Sequence, residues 1–250
     1  MIARQLSYFA PAAVMSAWAT VMLHTIASGH IKELLSPMFR SYVLVAAILL
    51  MLLSALYLFL YEPAAPTPAL APTGRLRQLG RWAMLLIPII AASVLSPAAF
   101  SSSTVVKRGL DSTYQMPTWN TAGQANAKAV VNSDSNQIAP VEVTDLISIS
   151  QKPDLIKSFD GRKVHVVGLF NGQGGSSLKL YRLIMWCCAA DAQPMSIALS
   201  GNTTGDWKND QWLDVVGTAR FPSTLGHVVP EVEVDSIKPT QEPDEPFLSP

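Results

Sequence analysis

Long apolar runs dominate the first hundred residues, and short alternating runs replace them after residue 140. Three runs stand out, over about 8–28, 41–61 and 82–100. The first passes through Phe9 to Trp18 and on to His24. The second reads Val-Leu-Val-Ala-Ala-Ile-Leu-Leu-Met-Leu-Leu from Val43 to Leu53, and the third is centred on Met84 to Leu95. About 20 apolar residues in helical form span the hydrocarbon core of a bilayer. Lipid offers no partner to a free N–H or C=O, so helix is the form such a run takes. The pattern therefore predicts three membrane spans. Tyr57 and Tyr61 close the second, where aromatic side chains meet the interface. Pro11 falls near the start of the first span, and Pro88 falls inside the third and predicts a kink there. The first run is long for a signal peptide and no convincing small-x-small cleavage site follows it, so a retained span is expected.

The texture changes at Pro140. Residues 145–150 and 153–159 read as short helical turns. Asp160-Gly161 is a turn, and Lys163–Phe170 alternates as a strand does. Further strands are expected over Leu178–Cys188, Pro194–Leu199, Gln211–Ala219 and Val228–Ile237, the last alternating valine with acidic residues. Five short strands in about 80 residues predict a small barrel or sandwich of the OB type. The predicted organisation is a transmembrane region over 1–106, a linker over 107–140 that is rich in Ser, Asn, Thr and Ala, and an all-β domain over 141–250. The loop 62–81 holds Pro63, Pro66, Pro68 and Pro72 and predicts an extended, semi-rigid connection.

Composition sharpens this picture. Charged residues make up 14% of the chain, against about 25% in soluble domains. The net charge is zero, but residues 1–140 carry +5 and residues 141–250 carry −5. An acidic domain is ill suited to nucleic acid, whose binding depends on Lys and Arg displacing counterions. With the N-terminus inside, Arg4, Arg75, Arg77 and Arg81 lie on the inner side, and Lys32, Arg40, Lys107 and Arg108 on the outer. The counts tie. The three arginines crowded before the third span favour an inside N-terminus and an outside β-domain.

The chemistry-bearing residues are few. No phosphate loop, zincin helix or nucleophile elbow occurs, and a non-enzymatic protein is expected. The two cysteines, Cys187 and Cys188, are adjacent. Their Cα atoms are held about 3.8 Å apart, closer than the usual disulfide range of about 4.4–6.8 Å, so a bond between them would be strained. Soft thiolates bind zinc or copper(I). Side chains of adjacent strand residues point to opposite faces, so both sulfurs reach one metal only if the strand breaks there. Asp191 is the first candidate to complete such a site, with His165 and His227 as others. The competing expectation is one cysteine buried as a small hydrophobe and the other packed at a turn. His24 lies toward the far end of the first span, where an ionisable group is either functional or interfacial.

The run Cys187-Cys-Ala-Ala-Asp-Ala-Gln-Pro194 resembles the Cys-Cys-x-Ala-Asp-Ala-x-Pro signature of the YcgQ-like bacterial membrane proteins. Phe159–Gly168, Asp210-Gln211-Trp212 with Val215-Val216-Gly217, and the close from Glu245 to Pro250 resemble further family segments. So do Leu23-His24 with Gly29, Ser36-Pro37, Leu86-Ile87-Pro88, Leu95-Ser96-Pro97 and Lys107-Arg108-Gly109. The chain departs at Phe247 and Ser249, where the family close has tyrosines, and at Leu34-Leu35-Ser36, where it has aromatic residues before the proline. The resemblance implies an inner-membrane, multi-pass accessory subunit. Its partner would be a separate polytopic permease of the YraQ/YcgR kind. With the anchored architecture, the outer β-domain is expected to receive or gate a solute, and the cysteine pair makes a metal ion a candidate. The alternative is a membrane-tethered metal-binding or thiol-redox module acting without a permease.

Overall fold

The computed structural model describes residues 2–60, 85, 87, 121–134, 137–172, 178–224 and 227–248. These belong to two compact units, 1–98 and 99–250. The third predicted span lies outside the described residues except for Leu85 and Ile87, as do the 62–81 loop and residues 107–120.

In the first unit, α1 (Ile2–Ala27) and α3 (Pro37–Leu60) are joined by a tight connection that contains the single-turn α2 (Ile31–Leu34). Gly29 takes φ +80° in the turn, a conformation that suits glycine. Both long helices are long and apolar enough to cross a membrane. They meet along small residues. Ala12, Ala19, Ala47 and Ser54 are buried between them, and Ser54 Oγ lies 2.9 Å from Ser16 Oγ and 3.0 Å from the Ala12 carbonyl. Small residues let helix backbones approach where lipid removes the hydrophobic drive to associate. The large side chains of α3, among them Val45, Leu52 and Phe59, point outward.

In the second unit, α4 (Thr121–Val131) precedes β1 (Ala139–Pro140), α5 (Val143–Ser150) and α6 (Pro153–Phe159). Five long strands follow, β2 (Lys163–Asn171), β3 (Leu178–Ile184), β4 (Gln193–Gly201), β5 (Trp212–Arg220) and β8 (Glu231–Pro239). The two-residue strands β6 (Ser223–Thr224) and β7 (His227–Val228) pair with each other, and β9 (Phe247–Leu248) ends the described chain.

The order β2-β5-β8-β4-β3 closes on itself through the β2–β3 pairing. β4 and β8 are parallel, and the other long neighbours are antiparallel. This is a five-stranded barrel with the strand order of an OB fold. Alternation explains the core: Val164, Val166 and Phe170 of β2 face inward, with Leu180, Ile197, Leu213, Val215 and Val232 from the other strands. Leu146, Ile149 and Phe159 of α5 and α6 belong to the same buried cluster. Closure needs a bend in β5. A bulge between Val216 and Gly217 supplies it, and a Cβ at Gly217 would stand 2.4 Å from the Glu233 carbonyl oxygen.

Two expectations are corrected. The 107–140 linker contains α4 and β1, and Ala127, fully buried, packs into the domain core. An alanine-rich helix shows little hydrophobic contrast, so its period is hard to read. The strand expected over 178–188 ends at Ile184, and the next residues bend away.

Candidate metal site at the end of strand β3

The break after Ile184 is built by Asp191. Its Oδ1 accepts from the Trp186 N–H at 3.1 Å, and its Oδ2 accepts from the Cys187 and Cys188 N–H groups at 2.8 and 3.4 Å. A single carboxylate thus takes the backbone donors that a continuing strand would have paired. Residues Ala189–Asp191 form a 3-10 turn with Cys188 as its N-cap, which small side chains permit at tight quarters. The turn rotates both cysteines to one side. Their sulfurs are 3.6 Å apart, and the two Sγ atoms and an Asp191 carboxylate oxygen all lie within 4.8 Å of one another. Cys187 is exposed and Cys188 partly so.

The charges follow from these bonds. The Cys187 thiol donates to the Asp191 carboxylate and lies against the Cys188 sulfur, and these interactions push it up to about 12. Burial acts to raise Asp191, but the thiol and the backbone N–H groups of Cys187, Trp186 and Cys188 together hold it below its usual value. The free site is therefore a carboxylate with the protonated Cys187 thiol beside it. A thiophilic cation would have to displace that proton.

Of the residues singled out in the sequence, the structure brings Cys187, Cys188 and Asp191 together. His165 does not join them: its Nε2 lies 2.8 Å from Asp214 Oδ1 on the neighbouring strand. His227 is in β7, and His24 is exposed in the last turn of α1.

A second polar cluster escapes sequence reasoning. Pairing of β2 with β3 stops at Leu169 and Tyr181, and the strands then diverge. Arg182 lies there, 6% exposed. Its Nη2 donates to the Glu245 carbonyl at 2.7 Å and its Nη1 to the Val167 carbonyl at 3.4 Å, and it stacks 5.0 Å from the Trp212 ring. Burial pulls its guanidinium below the usual range, against the attraction of Glu142 and Glu242. At the start of α5, Glu142 and Asp145 form a reciprocal cap, the Glu142 N–H donating to Asp145 at 2.9 Å. Burial raises the Asp145 carboxyl to about 6, with that N–H opposing and the Glu142 charge adding. The available signal was a lone arginine at an inward register position between Leu180 and Ile184.

Residues 112–250, more than half of the chain, match the family model of the DUF1980 C-terminal domain. The chain belongs to this family. No curated protein matches it. Two solved structures are similar in part. The telomere capping protein Ten1 from Saccharomyces pombe is 17% identical over 41% of this chain and 81% of its own, with a TM-score of 0.24. A chain of the S. pombe Stn1-Ten1 complex is 18% identical over 44% of this chain and 80% of its own, also at 0.24. The barrel assignment of the DUF1980 domain rests on its own strand order.

Proposed function

We propose that the chain is a non-enzymatic accessory subunit of a multi-spanning permease in the inner membrane, and that its barrel offers a soft metal ion a receiving site at Cys187, Cys188 and Asp191. One observation carries the reading: three ligand atoms of the right chemistry converge on a turn open to solvent. Zinc and copper(I) favour thiolate sulfur, and zinc also takes carboxylate oxygen. Three protein ligands leave tetrahedral zinc one open position, as a site that passes its ion on to a partner requires. The negative charge of residues 141–250 favours cations near the domain. The two apolar helices supply an anchor, and a third span over 82–100 would complete it. A thiol-redox role has less support, because a thiol pushed up to about 12 holds little reactive thiolate at neutral pH.

Affinity purification of the chain from gently solubilised membranes is expected to recover a polytopic permease. Recovery of the chain alone in several mild detergents would leave the tethered metal-binding module acting without a permease. The arginines at 75, 77 and 81 support an inside loop and an outside barrel. Protease added to spheroplasts should then cut beyond residue 101. Protection in spheroplasts with digestion in inverted vesicles reverses this orientation.

A further inference from the structure

We propose that the wedge between the diverging strands β2 and β3 is a binding site for a small zwitterion of the α-amino-acid class, separate from the cysteine turn. The wedge holds a cleft of about 210 Å³. That is smaller than the roughly 300–1,000 Å³ of pockets for drug-sized ligands, so its occupant has few atoms.

The lining is polarised. Arg182 contributes from β3, and the carboxylates Glu142 and Asp145 contribute from the start of α5. His165 lines it from β2 with its Nε2 turned to Asp214. Pro140, Val141 and Val167 supply apolar wall.

Arg182 is the observation that points to a ligand. It is more than nine-tenths buried, it lines the cleft, and its Nε–H, closed off from the cleft, has no acceptor. Among the described residues it makes no ion pair. A buried donor left unpaired is costly, and guanidinium suits a carboxylate above other acceptors. A simple anion would meet repulsion from Glu142 and Asp145. A simple ammonium would leave the buried Arg182 charge without a counter-ion. A molecule with a carboxylate for Arg182 and an ammonium for Glu142 and Asp145 answers both, and the apolar wall accepts an aliphatic side chain. Among the described residues, the three ligand atoms that could share a metal ion are those of the cysteine turn, so a metal is not the occupant argued for here.

The test uses the full chain in detergent, with calorimetry against L-leucine, its methyl ester, and isoamylamine. L-leucine should bind, and the ester and the amine, which lack the carboxylate, should bind at least tenfold more weakly. Glu142→Gln should weaken L-leucine at least threefold while leaving thermal unfolding unchanged. Arg182→Lys should abolish binding, with far-UV circular dichroism to check the fold. Absence of L-leucine binding at millimolar concentration overturns the proposal, as does equal binding of leucine and isoamylamine. Equal leucine affinity in the wild type and Glu142→Gln overturns it as well. Cys187→Ser should not affect leucine binding, which keeps this site distinguishable from the metal site.

Discussion

Zinc is expected to bind the full-length chain, and Cys187→Ser or Cys188→Ser to weaken it by more than about 100-fold. Changes one shell out from a metal cost about 10–100-fold, and these substitutions remove a ligand. The physical basis is the turn that brings both sulfurs and the Asp191 carboxylate within 4.8 Å. Serine is close to cysteine in size, and Cys187 is exposed, so its replacement should leave the barrel intact. The affinity should also depend on pH. The Cys187 thiol is held protonated by Asp191, whose own carboxyl is held low. Zinc must release thiol protons while Asp191 is already ionised at neutral pH. The sign follows: affinity rises as pH increases from 6 to 8, by up to about 100-fold per unit if two protons leave. Competition with a chromophoric chelator across that range measures both effects. An affinity that survives replacement of both cysteines would remove the site from this turn.

Arg162→Met should destabilise the barrel domain by about 3 kcal/mol or more and release the segment around α4. Arg162 is 8% exposed, and its Nη1 and Nη2 donate to the carbonyls of Val130, Val131, Ser133 and Asp134 at 2.9–3.2 Å. Nη2 also donates to Ser133 Oγ at 3.0 Å, and the guanidinium stacks 4.9 Å from the Phe159 ring. The Val130 and Val131 carbonyls end α4, where a cation also complements the helix dipole, and those of Ser133 and Asp134 follow it. Hydrogen bonds to charged groups contribute about 1.5–3 kcal/mol each, although losses within one cluster do not add. Methionine keeps the aliphatic volume and removes the donors. Arg220→Met is the control: its pair with Glu233 is about half exposed, and such pairs contribute about 0–1 kcal/mol. Thermal unfolding of the full chain compares the two variants, and limited proteolysis between residues 131 and 139 reports release of α4. Equal losses in both would show that the clasp contributes nothing beyond a surface pair.

The two described membrane-length helices were legible because each is governed by local composition. Lipid demands apolar side chains and satisfied backbone, and α1 and α3 show both within one segment. The five long strands were legible for a similar reason. A half-buried strand alternates residue by residue, as Lys163–Asn171 does. The small OB type followed from their number and spacing. Boundaries were weaker. The strand expected to reach Cys188 stops at Ile184, since its end depends on Asp191, which replaces strand partners with carboxylate bonds.

Cys187, Cys188 and Asp191 could be named in advance because soft-metal chemistry is written in residue type and close spacing. Whether the sulfurs face one side is a matter of backbone direction, and the turn at Ala189–Asp191 decided it. The place of α4 in the domain was hidden. Its alanine-rich face has little contrast, and the residue that holds it, Arg162, is about thirty positions away. Arg182 was hidden for a related reason: its surroundings exist only where β2 and β3 separate and where Glu245 and α5 return to them. By itself, then, the sequence determined the two described membrane-length helices, the strand content and the identity of the thiol–carboxylate trio, all set by neighbours within a few residues. Tertiary structure alone decided the closed strand order, the clasp on α4 and the wedge around Arg182, because each depends on groups distant along the chain meeting in space.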